Sequence, residues 1–243
     1  MRRNVLVVAA HPDDEILGVG ATAARHADEG DEVHVLILAE GATSRGPLGA
    51  GARDERAHAA ELDALRAAAR AAAEVLGTRP PRFASLPDNR MDGLDLLDVV
   101  KVVEAVVAEV RPSLVYTHHG GDLNVDHLVT HRAVLTACRP LPGGGPEAVY
   151  TFETLSSTEW GSPDQEAAFR PTRHVEVSAQ LARKLDALSC YAGEMRPFPH
   201  ARSIEAVEAL ARLRGAQSGL PAAEAFGVVR EVVRAPRPLA PRE

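Results

Sequence analysis

Val5-Leu6-Val7-Val8-Ala9-Ala10-His11-Pro12-Asp13-Asp14-Glu15 is the stretch on which the fold turns. Its apolar run has the length of a strand and does not alternate with polar residues, the pattern of a strand covered on both faces in a parallel sheet. The run ends in an imidazole and three carboxylates, at the edge where open α/β sheets place their ligands. So much acid beside a core strand calls for compensation. A divalent cation supplies it, because neutral imidazole and ionised carboxylate are both good ligands and their mutual repulsion falls once the ion binds. Pro12 fixes one backbone angle and stiffens the turn that carries His11 and Asp14. The plainer alternative is a helix beginning near Ile16 and capped by an Asp. A cap accounts for one Asp, not for His11, Asp13, Asp14 and Glu15 together.

Outward from this stretch, strand and helix patterns alternate. Ile16 to Glu29 reads as a helix closed by Gly30, and Val33 to Ala39 as a second buried strand. A Gly-rich loop from Glu40 to Ala52 leads into an Ala-rich helix, Arg53 to Leu76, stopped by Gly77 and Pro80-Pro81. Phe83 to Leu86 is a short strand, Leu94 to Val110 a helix ended before Pro112, and Leu114 to Thr117 another strand. The β-α-β order predicts an α/β fold with a Rossmann-like, mostly parallel sheet and helices on both faces. Past Pro140 the pattern weakens, and a less regular C-terminal part is expected. It contains a strand at Ala148 to Phe152 and helices at Ala179 to Tyr191 and Ser203 to Arg214. Residues 1–243 read as a single domain, with 235–243 as a disordered tail.

Composition narrows the partners. The formal net charge is -7 and the arginines are scattered rather than blocked, which argues against nucleic acid. The first apolar run is too short for a spanning helix and lacks a secretory cleavage pattern, so no membrane insertion and a cytoplasmic location are expected. Cys138 and Cys190 have neither disulfide-framework nor thiolate-zinc spacing and read as small buried hydrophobes.

A second cluster follows the strand ending at Thr117: His118-His119-Gly120-Gly121-Asp122-Leu123-Asn124-Val125-Asp126-His127, with His131 a helical turn further on. Loops after different parallel strands open at the same edge, so the two clusters face one crevice. A catalytic zinc site takes three ligands from His and carboxylates and keeps one position open. His11, Asp14 and His127 meet that need for one Zn2+, and Asp13 beside them suits a general base. Spare carboxylates are available to orient the imidazoles.

These motifs carry a resemblance. The chain is similar to the PIG-L (LmbE-like) family of zinc-dependent N-deacetylases, on Ala10-His11-Pro12-Asp13-Asp14-Glu15 after the first strand and Asp126-His127 heading a later helix. Leu86-Pro87-Asp88 stands in the place of a family substrate-side loop, and Ala223-Glu224-Ala225-Phe226 is like a C-terminal family segment. The resemblance covers most of the chain, and its first motif is the specific one. It implies a Rossmann-like fold, zinc on His11, Asp14 and His127, Asp13 as base, and an acetylated amino-sugar substrate such as an N-acetylglucosamine conjugate. Relatives are often oligomeric, so it also implies a homo-oligomer. Two positions depart from the family pattern. Asn124 stands where thiol-pathway members have a His that helps as acid or oxyanion partner, and Asp122 where some members have Tyr. Asn124 donates a hydrogen bond but no proton, so Asp13 serves as base and acid unless His118, His119 or His131 substitutes. The candidate catalytic residues are Asp13, Asn124 and Asp126, and the candidate substrate contacts are Asp88, Arg45, His118 and His131.

Other readings compete. Gly18-Val19-Gly20-Ala21-Thr22-Ala23 fits the dinucleotide-binding fingerprint of an oxidoreductase, with Glu40 where a ribose-binding acid would lie. The glycines fall inside the helix instead of in the turn, and three carboxylates would repel a pyrophosphate. Close packing of helix on sheet accounts better for Gly18 and Gly20. His127 and His131 have zincin spacing, but Leu128 stands where the general-base Glu belongs. A non-catalytic sugar-binding relative is disfavoured by the complete ligand set with Asp13. Trp160 reads either as core or as a stacking wall.

Overall fold

The computed structural model describes residues 2–42, 55–142, 144–162 and 168–233. Arg45 and the tail 235–243 lie outside them, as does most of the loop expected at 40–52. A seven-stranded sheet runs in the order β3-β2-β1-β4-β5-β7-β6. Its strands are β1 (Asn4–Ala9), β2 (Glu32–Ala39), β3 (Arg82–Leu86), β4 (Leu114–His118), β5 (Ala148–Phe152), β6 (Arg173–Glu176) and β7 (Ala223–Glu231). The first five pair parallel with one another, whereas β7 runs antiparallel to both β5 and β6. The sheet is therefore mostly parallel, as expected, with an antiparallel extension in the part whose sequence pattern is weak.

Alternation along each strand assigns the helices to faces. Val5, Val7, Val33, Val35 and Tyr116 point into one core, with α1 (Asp14–Asp28), α2 (Glu55–Leu76), α5 (Leu181–Ser189) and α6 (Ile204–Ala216). Leu6, Val8, Leu36, Leu38 and Val115 point into the other, with α3 (Leu96–Val110) and α4 (Val125–Ala137). The chain winds outward from β1 to β3 on one side and then crosses to β4 on the other. The switch point thus lies between β1 and β4, and the loops after those two strands part there to leave a crevice.

The C-terminal elements clamp α1 through the two glycines of the false fingerprint. A Cβ at Gly18 would lie 2.2 Å from the Phe152 ring, and one at Gly20 would crowd Ile16 and Lys184. Close packing is the reason for both residues. Beside them the buried Glu224 of β7 accepts hydrogen bonds from the Ala21 and Thr22 amides at 3.1 and 2.7 Å and pairs with Lys184 Nζ at 2.6 Å. Lys184 also donates to the Leu17 carbonyl at 2.7 Å. Removing one partner strands the other's charge in the core. Glu224→Ala should therefore cost about 3–5 kcal/mol of unfolding free energy in urea. A loss below about 1 kcal/mol, the range of exposed pairs, would contradict this account.

Candidate functional site

The turn after β1 is built around backbone strain. Asp13, at the position before the first turn of α1, has φ 109°, and its side chain makes no capping bond. That conformation is uncommon for a residue with a Cβ, and the cap alternative fails at Asp13. Its Oδ2 instead receives Arg202 Nη1 at 2.8 Å. Its N–H donates to Glu15 Oε2 at 3.0 Å, and Glu15 is held in turn by the Tyr191 hydroxyl. The other Asp13 oxygen, Oδ1, is buried without a partner, and so is Oδ1 of Asp14.

Three donor atoms converge beside Asp13. His11 Nδ1 and His127 Nε2 each lie 3.1 Å from Asp14 Oδ2 and 3.3 Å from one another. Tetrahedral zinc with nitrogen and oxygen bonds of about 2.0–2.1 Å sets neighbouring donors roughly 3.3 Å apart. The three side chains named from the sequence therefore fit such an ion, as do the two unpartnered carboxylate oxygens. Two further His/Asp groups, His118-Asp122-His127 and His11-Asp88-Asp126, share members with this one. Their carboxylates are already engaged.

Asp126 is wholly buried and takes the Asn89 and Met91 amides at 2.6 and 2.9 Å and His11 Nε2 at 3.1 Å. Asp88 Oδ1 lies 3.2 Å from the same His11 nitrogen. Asp122 faces His127 Nδ1 at 3.0 Å and accepts from the Asn124 amide, Ser157 Oγ and Thr158 Oγ1. Each imidazole thus turns one nitrogen to Asp14 and the other to an orienting carboxylate, which fixes ring and tautomer.

Burial works against charge on His11, but its bonds to Asp126, Asp14 and Asp88 outweigh that and hold its pKa well above the usual value. Burial also lowers His127, and the Asp14 charge with the Asp122 bond more than reverses it. Burial pushes Asp14 up, yet the neighbouring His127 charge and its bonds to His11 and His127 keep it well below the carboxylate range. Asp122 is likewise drawn down to about 2 against its burial, chiefly by His127. The Asp13 carboxyl goes the other way. Burial pushes it up to about 8 against the pull of Arg202.

The geometry places the remaining candidates. Asp126, a catalytic candidate, has its oxygens engaged by His11 and the 89–91 backbone. Asn124 is the cap of α4: its Oδ1 accepts from the Asp126 amide at 2.8 Å, and its Nδ2 donates to Asn89 Oδ1 at 3.0 Å. His118 is completely buried, stacked 3.8 Å from the His127 ring. Its Nε2 accepts from the Ala10 amide at 2.9 Å, so its proton sits on Nδ1 facing Thr154. Burial holds its pKa well below 6.5. His131 Nδ1 donates to the His118 carbonyl at 2.9 Å and packs on Gly120. His119 meets Phe169 edge-on. Trp160 is 53 % exposed and not core, and Cys190 is only half-buried.

The crevice above the donors holds about 300 Å³ and is lined by His11, Asp13, Asp88, Asn124, Glu194 and Arg202 among others. Glu194 and Arg202 escape sequence reasoning because they sit in loops 181 and 189 positions from Asp13, with no local motif. Protons held on His11 and His127 must leave when a cation binds. Titrating Zn2+ into the full chain in two buffers of different ionisation enthalpy should show proton release and an affinity that rises with pH. Asp126→Asn should weaken binding by about 10–100-fold. Metal uptake without proton release would contradict the ligand assignment.

The family model for GlcNAc-PI de-N-acetylase (PIG-L) matches residues 6–138, which hold both clusters. The 1D-myo-inositol 2-acetamido-2-deoxy-alpha-D-glucopyranoside deacetylase of Mycolicibacterium smegmatis is 29% identical over 239 residues, covering 82% of each chain. An uncharacterized deacetylase of Escherichia coli, YaiS, is 31% identical over 146 residues, 58% of this chain and 71% of that one. Among solved structures, the 4-carboxy-2-hydroxymuconate hydratase of Pseudomonas putida KT2440 superimposes with a TM-score of 0.75 at 27% identity, over 99% of this chain and 100% of its own. With the motif, the topology and these matches in agreement, the chain belongs to the PIG-L family of deacetylases.

Proposed function

We propose that this chain is a zinc-dependent hydrolase that removes an N-acetyl group from an amino-sugar conjugate such as an N-acetylglucosamine derivative, releasing acetate and the free amine. The observation that carries this reading is Asp13 Oδ1, a buried oxygen with no partner, beside three donors spaced for a divalent ion at the floor of an open crevice. His11, Asp14 and His127 would hold the ion, which would supply Lewis acidity for an amide carbonyl and a lowered pKa for water. Asp13 receives the proton of the attacking water on Oδ1 while Arg202 holds Oδ2. The acid so formed then protonates the leaving amine, which fits a carboxyl that burial makes ready to keep a proton. Asn124 and Asp88 line the crevice, where they would meet the substrate.

A second reading, addition of water to an alkene acid, is favoured by the full-length likeness to the Pseudomonas hydratase and by Arg202 and Arg196 at the crevice, which suit a carboxylate. Product mass separates the two. Deacetylation splits off acetate, whereas hydration adds 18 Da and releases nothing.

Asp13→Asn should keep its metal and lose about 10²–10⁴-fold in turnover of an N-acetylglucosamine conjugate, while Asp14→Ala loses the metal itself. Replacing His118, His119 and His131 singly by Gln should lower turnover only modestly at unchanged metal content. A loss of about 10²-fold or more at one of these histidines would assign the acid to it and overturn the double role of Asp13.

A further inference from the structure

A second cavity, of about 360 Å³, lies toward the opposite end of the parallel strands, between the last turns of α1, Tyr116 on β4, and β6. Its three arginines differ. Arg3 is held by Asp31 at 2.6 and 2.9 Å, and Arg25 by Glu29 at 2.8 Å and the Glu176 carbonyl at 2.7 Å. The Arg173 side chain has no hydrogen bond or ion pair among the described residues. It stacks on the face of Tyr150, 4.7 Å from the ring centroid, and its Nε is buried without a partner.

One neighbour on the cavity wall shares this condition: Thr22 Oγ1 is also buried and unpartnered. Among the described residues eight buried side-chain polar atoms lack partners; two are on Asp13 and Asp14 at the crevice, and two are on Arg173 and Thr22 here. Such groups are costly to leave unmade, and a guanidinium cannot shed its proton. Stacking on an aromatic face leaves the planar fork free for bidentate recognition of a carboxylate or phosphate.

We propose that this cavity is a binding site for a small molecule bearing one oxyanion, carboxylate or phosphate, held by Arg173 with Thr22 beside it. The other two arginines are already paired, and Glu29 and Glu176 on the same wall repel a second negative group, which limits the ligand to a single anionic end. The volume suits a metabolite-sized molecule. The site is independent of the catalytic reading, since no residue is shared between the two cavities.

The test is calorimetric titration of inorganic phosphate and, separately, acetate into the zinc-loaded full chain at fixed ionic strength. Wild-type protein should bind at least one of them saturably, and Arg173→Gln should weaken that binding about tenfold or more with zinc content unchanged. Arg173→Lys keeps the charge but not the fork and should lose part of the affinity. Thr22→Val gives a second handle if the Arg173 variants do not fold. Affinity unchanged in the folded variants, or no saturable binding of either ion by wild-type protein, overturns the proposal. So does an oligomer that Arg173→Gln dissociates without any phosphate or acetate response, because the guanidinium then faces a partner subunit.

Discussion

Carboxylate burial at one sheet edge is the constraint on which the rest of this structure depends. Asp13, Asp14, Asp88, Asp122 and Asp126 are all at least nine-tenths buried, packed with His11, His118 and His127. Isolated ionised carboxylates are not stable in such surroundings. Three of the five find local compensation, Asp126 from backbone amides, Asp122 from hydroxyls, an amide and an imidazole, and Asp88 from Asn89 Nδ2 and His11. Asp14 has only ring nitrogens and the His11 amide, and Asp13 has one arginine. The uncompensated remainder sits beside three donors whose spacing fits a divalent cation, and the histidine tautomers are already set by the orienting carboxylates.

Holding that cluster together requires parts of the chain far apart in sequence. Asp14 opens α1, so its position depends on how α1 is seated. Phe152 fills the notch of Gly18, Glu224 grips the backbone of the same helix three to four residues later, and Lys184 holds the Leu17 carbonyl one residue before. Arg202 and Tyr191 reach back to Asp13 and Glu15 from the same C-terminal region. The irregular last third is thus the brace of a turn at residues 11–15. On the other side, the amides of Asn89 and Met91 are tied to Asp126, which links the loop after β3 to the head of α4.

What was legible in the sequence follows from how local each signal is. A strand buried on both faces is written as an unbroken apolar run, and ligand type at its end is a local property, so β1, the parallel frame and the trio His11, Asp14 and His127 could be read directly. β6 could not. Arg173-His174-Val175-Glu176 is a short edge strand that is mostly half-exposed, and β7 changes from buried to exposed residues midway, so neither has a clean period. The different fates of Asp13 and Asp126 depend on which amides approach them from residues 89–91, and composition carries no trace of that. Arg202 likewise depends on tertiary folding alone. Asn124 is the instructive case: next to a helix of Asp and His it reads as a lost acid, yet its geometry is that of a helix cap.

X-ray absorption at the zinc edge of the zinc-loaded full chain probes the central claim, that His11, Asp14 and His127 hold one ion, most directly. The account predicts two imidazole nitrogens and carboxylate oxygen at about 2.0–2.2 Å, no sulfur, and loss of the imidazole scattering when His11 and His127 are replaced together. A spectrum with sulfur neighbours, or one unaltered by those replacements, would contradict it.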